Sequence, residues 1–505
     1  MFKLYKEHKN VLIAILSSLP HRIALTSDGW EAVNGNHYLV ITAHFIDVDW
    51  VLNKRIIGFR KFPHPHSAYN LSQLLFNVAK EYNIDSKIFS IFLDNASENT
   101  AAIEHLKRYF RPVLNGQLFH IRCVCHIINL CVQDGQKVIN YYIEKLRDVI
   151  MFIKSSGPRR QMWKEICGSL NLPIKKLPQV VRTRWNSTCY MLTYALPYRE
   201  AINQFISLEL AQTHFMDDNE WDLISWICDF LKCFEKNTKL FSGTYYPTTN
   251  LVFLELAETA EVFENYRTNT FVQQIIEPME AKFNKYFKEF PTIFFFGAIM
   301  DPRIKMRGCK YLLKQFYKRM NYADNHIEKW KEIESSLEKL YEHYESLHGT
   351  KQSTPSQPQR SRTTLWDNII SKSKKARTDT FLNELHYYNC APVPEVGADE
   401  FFDILGWWKA QASTYPVLSI IARDLLTPPA STVASESAFS SGGRVLTDRR
   451  NRLASETVEM SICLKDWLDA EKRKQDTPNE DMLEESPDDE EWSWHLVIQY
   501  FSYKY

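Results

Sequence analysis

The 505-residue sequence has no net charge, because Lys plus Arg and Asp plus Glu both number 61. Any contact with nucleic acid must therefore come from a locally basic surface and not from overall attraction. The chain also lacks a run of the roughly 18 apolar residues that a membrane-spanning helix needs, and it shows no secretory signal pattern. A soluble chain is expected. The ten cysteines stand singly apart from Cys123 and Cys125, which excludes a disulfide scaffold and points to reduced thiols in an intracellular protein. Finger-type zinc spacing is missing too: Cys123 and His126 have no second pair, and structural zinc takes four ligands. Zinc is not expected there. The other reading is a thiol and an imidazole that orient a turn.

What is present is a globular composition, 45% hydrophobic and 13% aromatic, on a chain too long for one core. Two to four domains are expected. A short helix over 1–20, with Val11, Leu12, Ile15 and Leu16 on one face, ends at Pro20. Three strands follow: Ile23 to Thr26 leading into Ser27-Asp28-Gly29-Trp30, then Tyr38 to Ile46, then Val51 to Phe62, with Asn34-Gly35 as a turn. A helix spans about Ala68 to Tyr82. Ile88 to Leu93 is an apolar run that suits a strand buried on both faces, and it ends in Asp94. Helix-start chemistry from Asn95 to Asn99 leads into Ala102, Ile103, Leu106 and Phe110. Gln117 to Arg122 reads as a fifth strand.

The order β-β-β-α-β-α-β describes a ribonuclease H-like sheet in which the first and fourth strands lie side by side. Asp28 would end the first and Asp94 the fourth, at the edge where open α/β sheets bind ligands. Two carboxylates there can share divalent metal ions and activate a water or hydroxyl. A helix-capping Asp and an unrelated turn Asp remain the plain alternative. From about 140 to 350 helical patterns take over, with a basic stretch of Arg159, Arg160, Lys164, Lys175, Lys176, Arg182 and Arg184 ending at Trp185. Such a cluster can grip phosphates while the Trp stacks on an unpaired base; a solvated helix face and a core Trp are the alternative. Residues 350–380 read as a linker or loop. Structure resumes around Trp407-Trp408, and a helix over Ser419 to Leu426 follows. Gly442-Gly443-Arg444 then read as a break before a last helix, Ser455 to Leu468. The aromatic surface of Trp407, Trp408 and Trp467 suits either a core or a dimer interface, and an acidic tail follows from 471 to 505.

Ser27-Asp28-Gly29-Trp30, Leu93-Asp94-Asn95-Ala96, Arg122-Cys123-x-x-His126, Thr183-Arg184-Trp185 and the block from Trp407-Trp408 through Ser435-Glu436-Ser437-Ala438-Phe439 together resemble the hAT-superfamily transposases. They are most similar to the plant BED-finger, RICESLEEPER-like branch, without its N-terminal finger. The resemblance implies a ribonuclease H-like core with a mixed five-stranded sheet (21–140), interrupted by a large all-α insertion (141–349) and completed by a C-terminal hAT dimerisation region (381–470). It also implies an acidic triad of Asp28, Asp94 and Glu436 holding two Mg²⁺ or Mn²⁺ ions, flanked by Cys123 and His126. Arg182, Arg184, Lys175, Lys176 and Trp185 would contact DNA, with Trp185 stacking on a flipped base. Trp407, Trp408, Phe439, Leu464 and Trp467 would support a homodimer. The implied function is metal-dependent DNA strand cleavage and transfer in the nucleus. The alternative is a domesticated, non-catalytic DNA-binding regulator on the same scaffold.

Overall fold

The computed structural model describes residues 1–62, 64–93, 97–178, 185–209, 215–270, 272–322, 325–349, 383–395, 402–446 and 453–472. The expected linker and the acidic tail lie almost wholly outside these residues. After α1 (Phe2–Ser18), strands β1 (Ile23–Glu31), β2 (His37–Ile46) and β3 (Leu52–Lys61) form an antiparallel meander. The helices α2 (Ala68–Glu81) and α3 (Ser97–Phe110) then carry the chain to β4 (Ile88–Leu93) and β5 (His120–Arg122), which run parallel to β1. The sheet order is β3-β2-β1-β4-β5. The first and fourth strands are thus neighbours, as the sequence pattern implies, and all six residues of β4 are buried.

Local chemistry explains most boundaries. Gly35 turns the β1–β2 hairpin at φ +72°, a conformation that costs glycine little, and its N–H donates to the Ala32 carbonyl at 2.9 Å. Ser67 caps α2 by accepting the Asn70 N–H at 3.2 Å. Several features differ from the sequence expectation. β1 runs on through Gly29 to Glu31, because Gly29, Trp30 and Glu31 pair with Leu39, Tyr38 and His37 of β2; Asp28 is therefore within the strand and not at its end. α1 buries Tyr5, Leu12 and Leu16 and leaves Val11 and Ile15 exposed. The pair Gly442-Gly443 does not break a helix but lies within one.

A long helical array follows the sheet. It consists of α4 (Val124–Val138), α5 (Asn140–Lys154), α6 (Gly157–Ser169), α7 (Trp185–Ala195), α8 (Arg199–Glu209), α9 (Asp218–Phe241), α10 (Thr249–Tyr266), α11 (Gln273–Phe287), α12 (Thr292–Ile299), α13 (Lys305–Arg319) and α14 (His326–His348). The C-terminal part adds α15 (Glu384–Cys390), α16 (Ile404–Gln411), α17 (Pro416–Leu426), α18 (Val433–Val445) and α19 (Ser455–Lys472). Phe89, Phe92 and Ile121 of the sheet join the core of the helical array, whereas Ile88, Ile91 and Leu93 join the core with α2 and α3. The sheet therefore separates two apolar layers. Among the described residues no helix is long and apolar enough to cross a membrane.

The C-terminal part is fastened to both halves. The buried Trp408 donates its indole N–H to the Met300 carbonyl at 2.9 Å, and Asp424 accepts the Arg22 N–H at 3.0 Å and the Tyr344 hydroxyl at 2.6 Å. Burial pushes the Asp424 carboxyl up, and those donors oppose the rise. The helix α19 covers β3, the outermost strand. The Ile56 N–H donates to Asp466 at 2.8 Å, the Ile56 carbonyl accepts the Trp467 indole N–H at 2.8 Å, and Lys54 pairs with Asp466 at 3.2 Å. An edge strand left open would be a template for unwanted pairing.

Candidate active site

Side chains alternate along a strand, so Thr26, Asp28 and Trp30 share one face of β1. Thr26 Oγ1 lies 3.4 Å from Ser435 Oγ. Trp30 stacks on Phe439 with ring centroids 6.1 Å apart and planes 15° apart. Both partners belong to α18, so Asp28, between Thr26 and Trp30, faces that helix as well. One Asp28 carboxylate oxygen accepts the Gly29 N–H at 2.8 Å.

Ser435, Phe439 and Gly442 are spaced four and three residues apart, which puts them on one stripe of α18. Gly442 is where the helix comes closest: a Cβ there would stand 3.1 Å from Trp30 Cζ3 and 3.2 Å from Phe59 Cζ. The helix continues through Gly443 to Val445, because close packing on the sheet outweighs the weak helix preference of two glycines. Glu436, next to Ser435, is exposed in the first turn, where a carboxylate is favoured by the helix dipole.

The start of α18 is also tied to the turn between β5 and α4. The Thr432 N–H donates to Cys123 Sγ at 3.3 Å, and the Val124 N–H donates to the Ala430 carbonyl at 3.0 Å. Burial pushes the Cys123 thiol up, the hydrogen bonds from Thr432 oppose the rise, and the Glu436 charge adds to it. Glu436 is thus within electrostatic reach of Cys123. The Cys123 N–H in turn approaches the Leu93 carbonyl at 3.4 Å. Leu93 is the last residue of β4, between β1 and β5, and Asp94 follows it outside the described residues. The Cys125 thiol turns the other way, toward the Thr238 carbonyl at 3.8 Å, and His126 is half-buried in the first turn of α4. Asp28 and Glu436 therefore sit on two elements, β1 and α18, that pack together at the end of the sheet toward which β4 runs. Their carboxylate oxygens are hard donors of the kind Mg²⁺ or Mn²⁺ takes.

The remaining candidates divide. Lys175 and Lys176 are exposed beyond α6, together with Arg160 and Lys164 on α6. Arg182 and Arg184 lie outside the described residues. Trp185 is 4% exposed within the helical core, which leaves no face for a base and favours its reading as a core residue. Trp408, Leu464 and Trp467 are buried within the single chain. Trp467 stacks on Tyr5 at 5.2 Å, Phe439 packs on Trp30, and Trp407 is half-buried against Tyr388 and Trp408. The aromatic surface is spent on the chain's own core. Sequence reasoning missed Thr26, Thr432 and Ser435, the polar residues that hold α18 in place; Ser435 lies within the block that carries the resemblance.

A mixed five-stranded sheet whose fourth strand lies beside its first, and which receives a helix from far down the chain, defines a ribonuclease H-type fold with a C-terminal completion. Family models match consecutive stretches of the chain. They are described as the ZBED1 RNase-like domain (residues 26–118), the ZBED1 RNase-like helical domain (121–230), the hAT-like transposase, RNase-H fold (244–344), and the hAT family C-terminal dimerisation region (382–468). The chain is thus similar to the hAT transposases, whose models match residues 244–344 and 382–468. It is 33% identical to a putative AC transposase of Zea mays over 93% of its own length and 60% of that relative. It is 29% identical to the zinc finger BED domain-containing protein RICESLEEPER 2 of Oryza sativa subsp. japonica, covering 93% and 68%. With DAYSLEEPER of Arabidopsis thaliana it shares 26% identity, covering 92% and 66%. The chain thus spans about 60% of the length of the maize relative.

Proposed function

We propose that this protein cleaves and joins DNA strands at a site formed by Asp28, Asp94 and Glu436. The observation that supports the reading is the packing of α18, whose first turn carries Glu436, 342 residues beyond Asp94, on the face of β1 that bears Asp28, through the Thr26–Ser435 and Cys123–Thr432 contacts. Two divalent ions held there would activate a water or hydroxyl and stabilise the leaving oxygen.

Each residue has a part in that reading. The Gly29 N–H orients the Asp28 carboxylate. The first turn of α18 presents Glu436, and Cys123, as a hydrogen-bond acceptor, fixes where that turn begins. Lys175, Lys176, Arg182 and Arg184 neutralise phosphates as DNA approaches from the helical array. Trp185 takes no part in stacking. The C-terminal dimerisation region pairs two chains through surfaces other than the aromatic residues buried in each, and the protein works in the nucleus.

The test is nicking of supercoiled plasmid by the purified chain in Mn²⁺, with Asp28→Asn and Glu436→Gln beside the wild type. Each substitution is expected to abolish cleavage while circular dichroism stays unchanged. Equal cleavage by wild type and both variants would remove the assignment. DNA binding without any cleavage by a folded wild-type dimer would favour the non-catalytic regulator.

A further inference from the structure

We propose that His37, His64 and His66 form a transition-metal site, suited to Zn²⁺, at the hairpin end of the sheet. The proposal is independent of the carboxylate site. One ring nitrogen from each histidine lies within 4.8 Å of the other two. Two separate segments supply them. His37 opens β2 opposite Glu31 of β1, and the Phe62 N–H donates to the His37 carbonyl at 2.7 Å, which brings the His64-Pro65-His66 turn beside it. The His66 ring centroid lies 4.3 Å from that of His37 and 4.1 Å from that of His64.

The surroundings resemble those that orient ligating imidazoles. His66 donates its Nε2–H to the Phe62 carbonyl at 3.1 Å, which leaves Nδ1 with its lone pair, and its ring stacks on Phe62 at 4.8 Å. His37 Nε2 lies 3.9 Å from the Glu31 carboxylate. A carbonyl or carboxylate behind a ligating histidine fixes its tautomer and direction. Around tetrahedral zinc, with Zn–N bonds of about 2.0–2.1 Å, ligand nitrogens stand roughly 3.4 Å apart. The trio must therefore close by about an ångström or a little more, and the His64 ring, stacked on His66 with planes 15° apart, must turn until both lone pairs point to one ion; exposed in its turn, His64 has the freedom to do so.

The donor chemistry selects the metal. Imidazole suits Zn²⁺, Co²⁺, Ni²⁺ and Cu²⁺, whereas Mg²⁺ and Mn²⁺ prefer oxygen. Three protein nitrogens leave a fourth position to water. Glu31 lies three residues beyond Asp28 on β1, about 10 Å along the strand. A bound ion would staple the β1–β2 hairpin to the turn after β3, and so brace the strand that carries Asp28.

The test is calorimetric titration of the full chain with Zn²⁺ in excess Mg²⁺, which occupies carboxylate sites, paired with the visible absorption of the Co²⁺ form. We expect one zinc per chain lost in His64→Ala, an exposed turn residue, with at least a 10-fold fall in affinity and loss of the Co²⁺ band. His37→Asn should act alike. No zinc bound by the wild type, or equal binding and absorption in both variants, would overturn the proposal.

Discussion

Gly442 and Gly443 are adjacent on α18 yet face different surroundings, and this separates intrinsic helix preference from packing on the sheet. Among the described residues, no atom beyond the local helix backbone lies within 4 Å of where a Cβ on Gly443 would stand. Replacing it with alanine therefore adds only helix preference, about 0.5–1 kcal/mol. At Gly442 the same Cβ meets the Trp30 and Phe59 rings at 3.1 and 3.2 Å, and the two methyl groups of a valine make the crowding worse. Overpacking of this kind costs about 1–3 kcal/mol. The chain is too large for two-state melting to isolate the effect, so the assay is hydrogen exchange of the peptide spanning α18. Gly443→Ala should slow exchange about 2- to 5-fold, and Gly442→Val should speed it roughly 5- to 150-fold, since 1.4 kcal/mol is a factor of ten. Gly442→Val should also weaken plasmid nicking, because Glu436 rides on the displaced helix. Unchanged protection in Gly442→Val, or faster exchange in Gly443→Ala, would refute the close approach of α18 to Trp30.

Two further outcomes follow from α19. Trp467→Ala removes the stack on Tyr5 and the hydrogen bond to the Ile56 carbonyl; it should cost about 3–5 kcal/mol, read as faster exchange in both β3 and α1, and unchanged exchange there would count against the packing. Burial pushes the Glu459 carboxyl up from 4.5 to about 7, although Arg60 2.9 Å away and Lys9 oppose the rise. A carboxyl whose folded value is raised contributes stability that is present below pH 4.5 and lost as pH climbs through 7, up to about 3 kcal/mol. Glu459→Gln should therefore flatten the decline in α19 protection between pH 4.5 and 8, and a variant with the wild-type slope would place the titration elsewhere.

The strand order was legible because apolar and β-branched residues mark the strands between turn residues, and because Ile88 to Leu93 has no polar face to expose. The limits of β1 were less so. Ser27-Asp28-Gly29-Trp30 has little strand preference of its own, and only pairing with β2 extends the strand to Glu31. The glycine pair misled for the opposite reason: local preference argued for a break, and a contact from the far side of the chain overrode it. Trp408 and Trp467 had two readings that periodicity could not separate, since a core and an interface bury the same ring. Glu436 was placed by resemblance, yet the part that Ser435 and Thr432 play in holding its helix shows only with their partners Thr26 and Cys123. The histidine trio was equally hidden, because His64-Pro65-His66 is visible as a pair but His37 arrives only through the register of β2 with β3.

The distance in sequence between β1 and α18 also sets a schedule. A ribosome adding roughly 5–20 residues per second has Asp28 and Asp94 in the growing chain roughly 20–70 s before Glu436 is made. Throughout that interval the sheet can form, but the third carboxylate of the proposed site does not yet exist. Any fragment that stops within the helical array is likewise short of it, so under the proposed function strand-cutting capacity would belong only to chains read past Glu436.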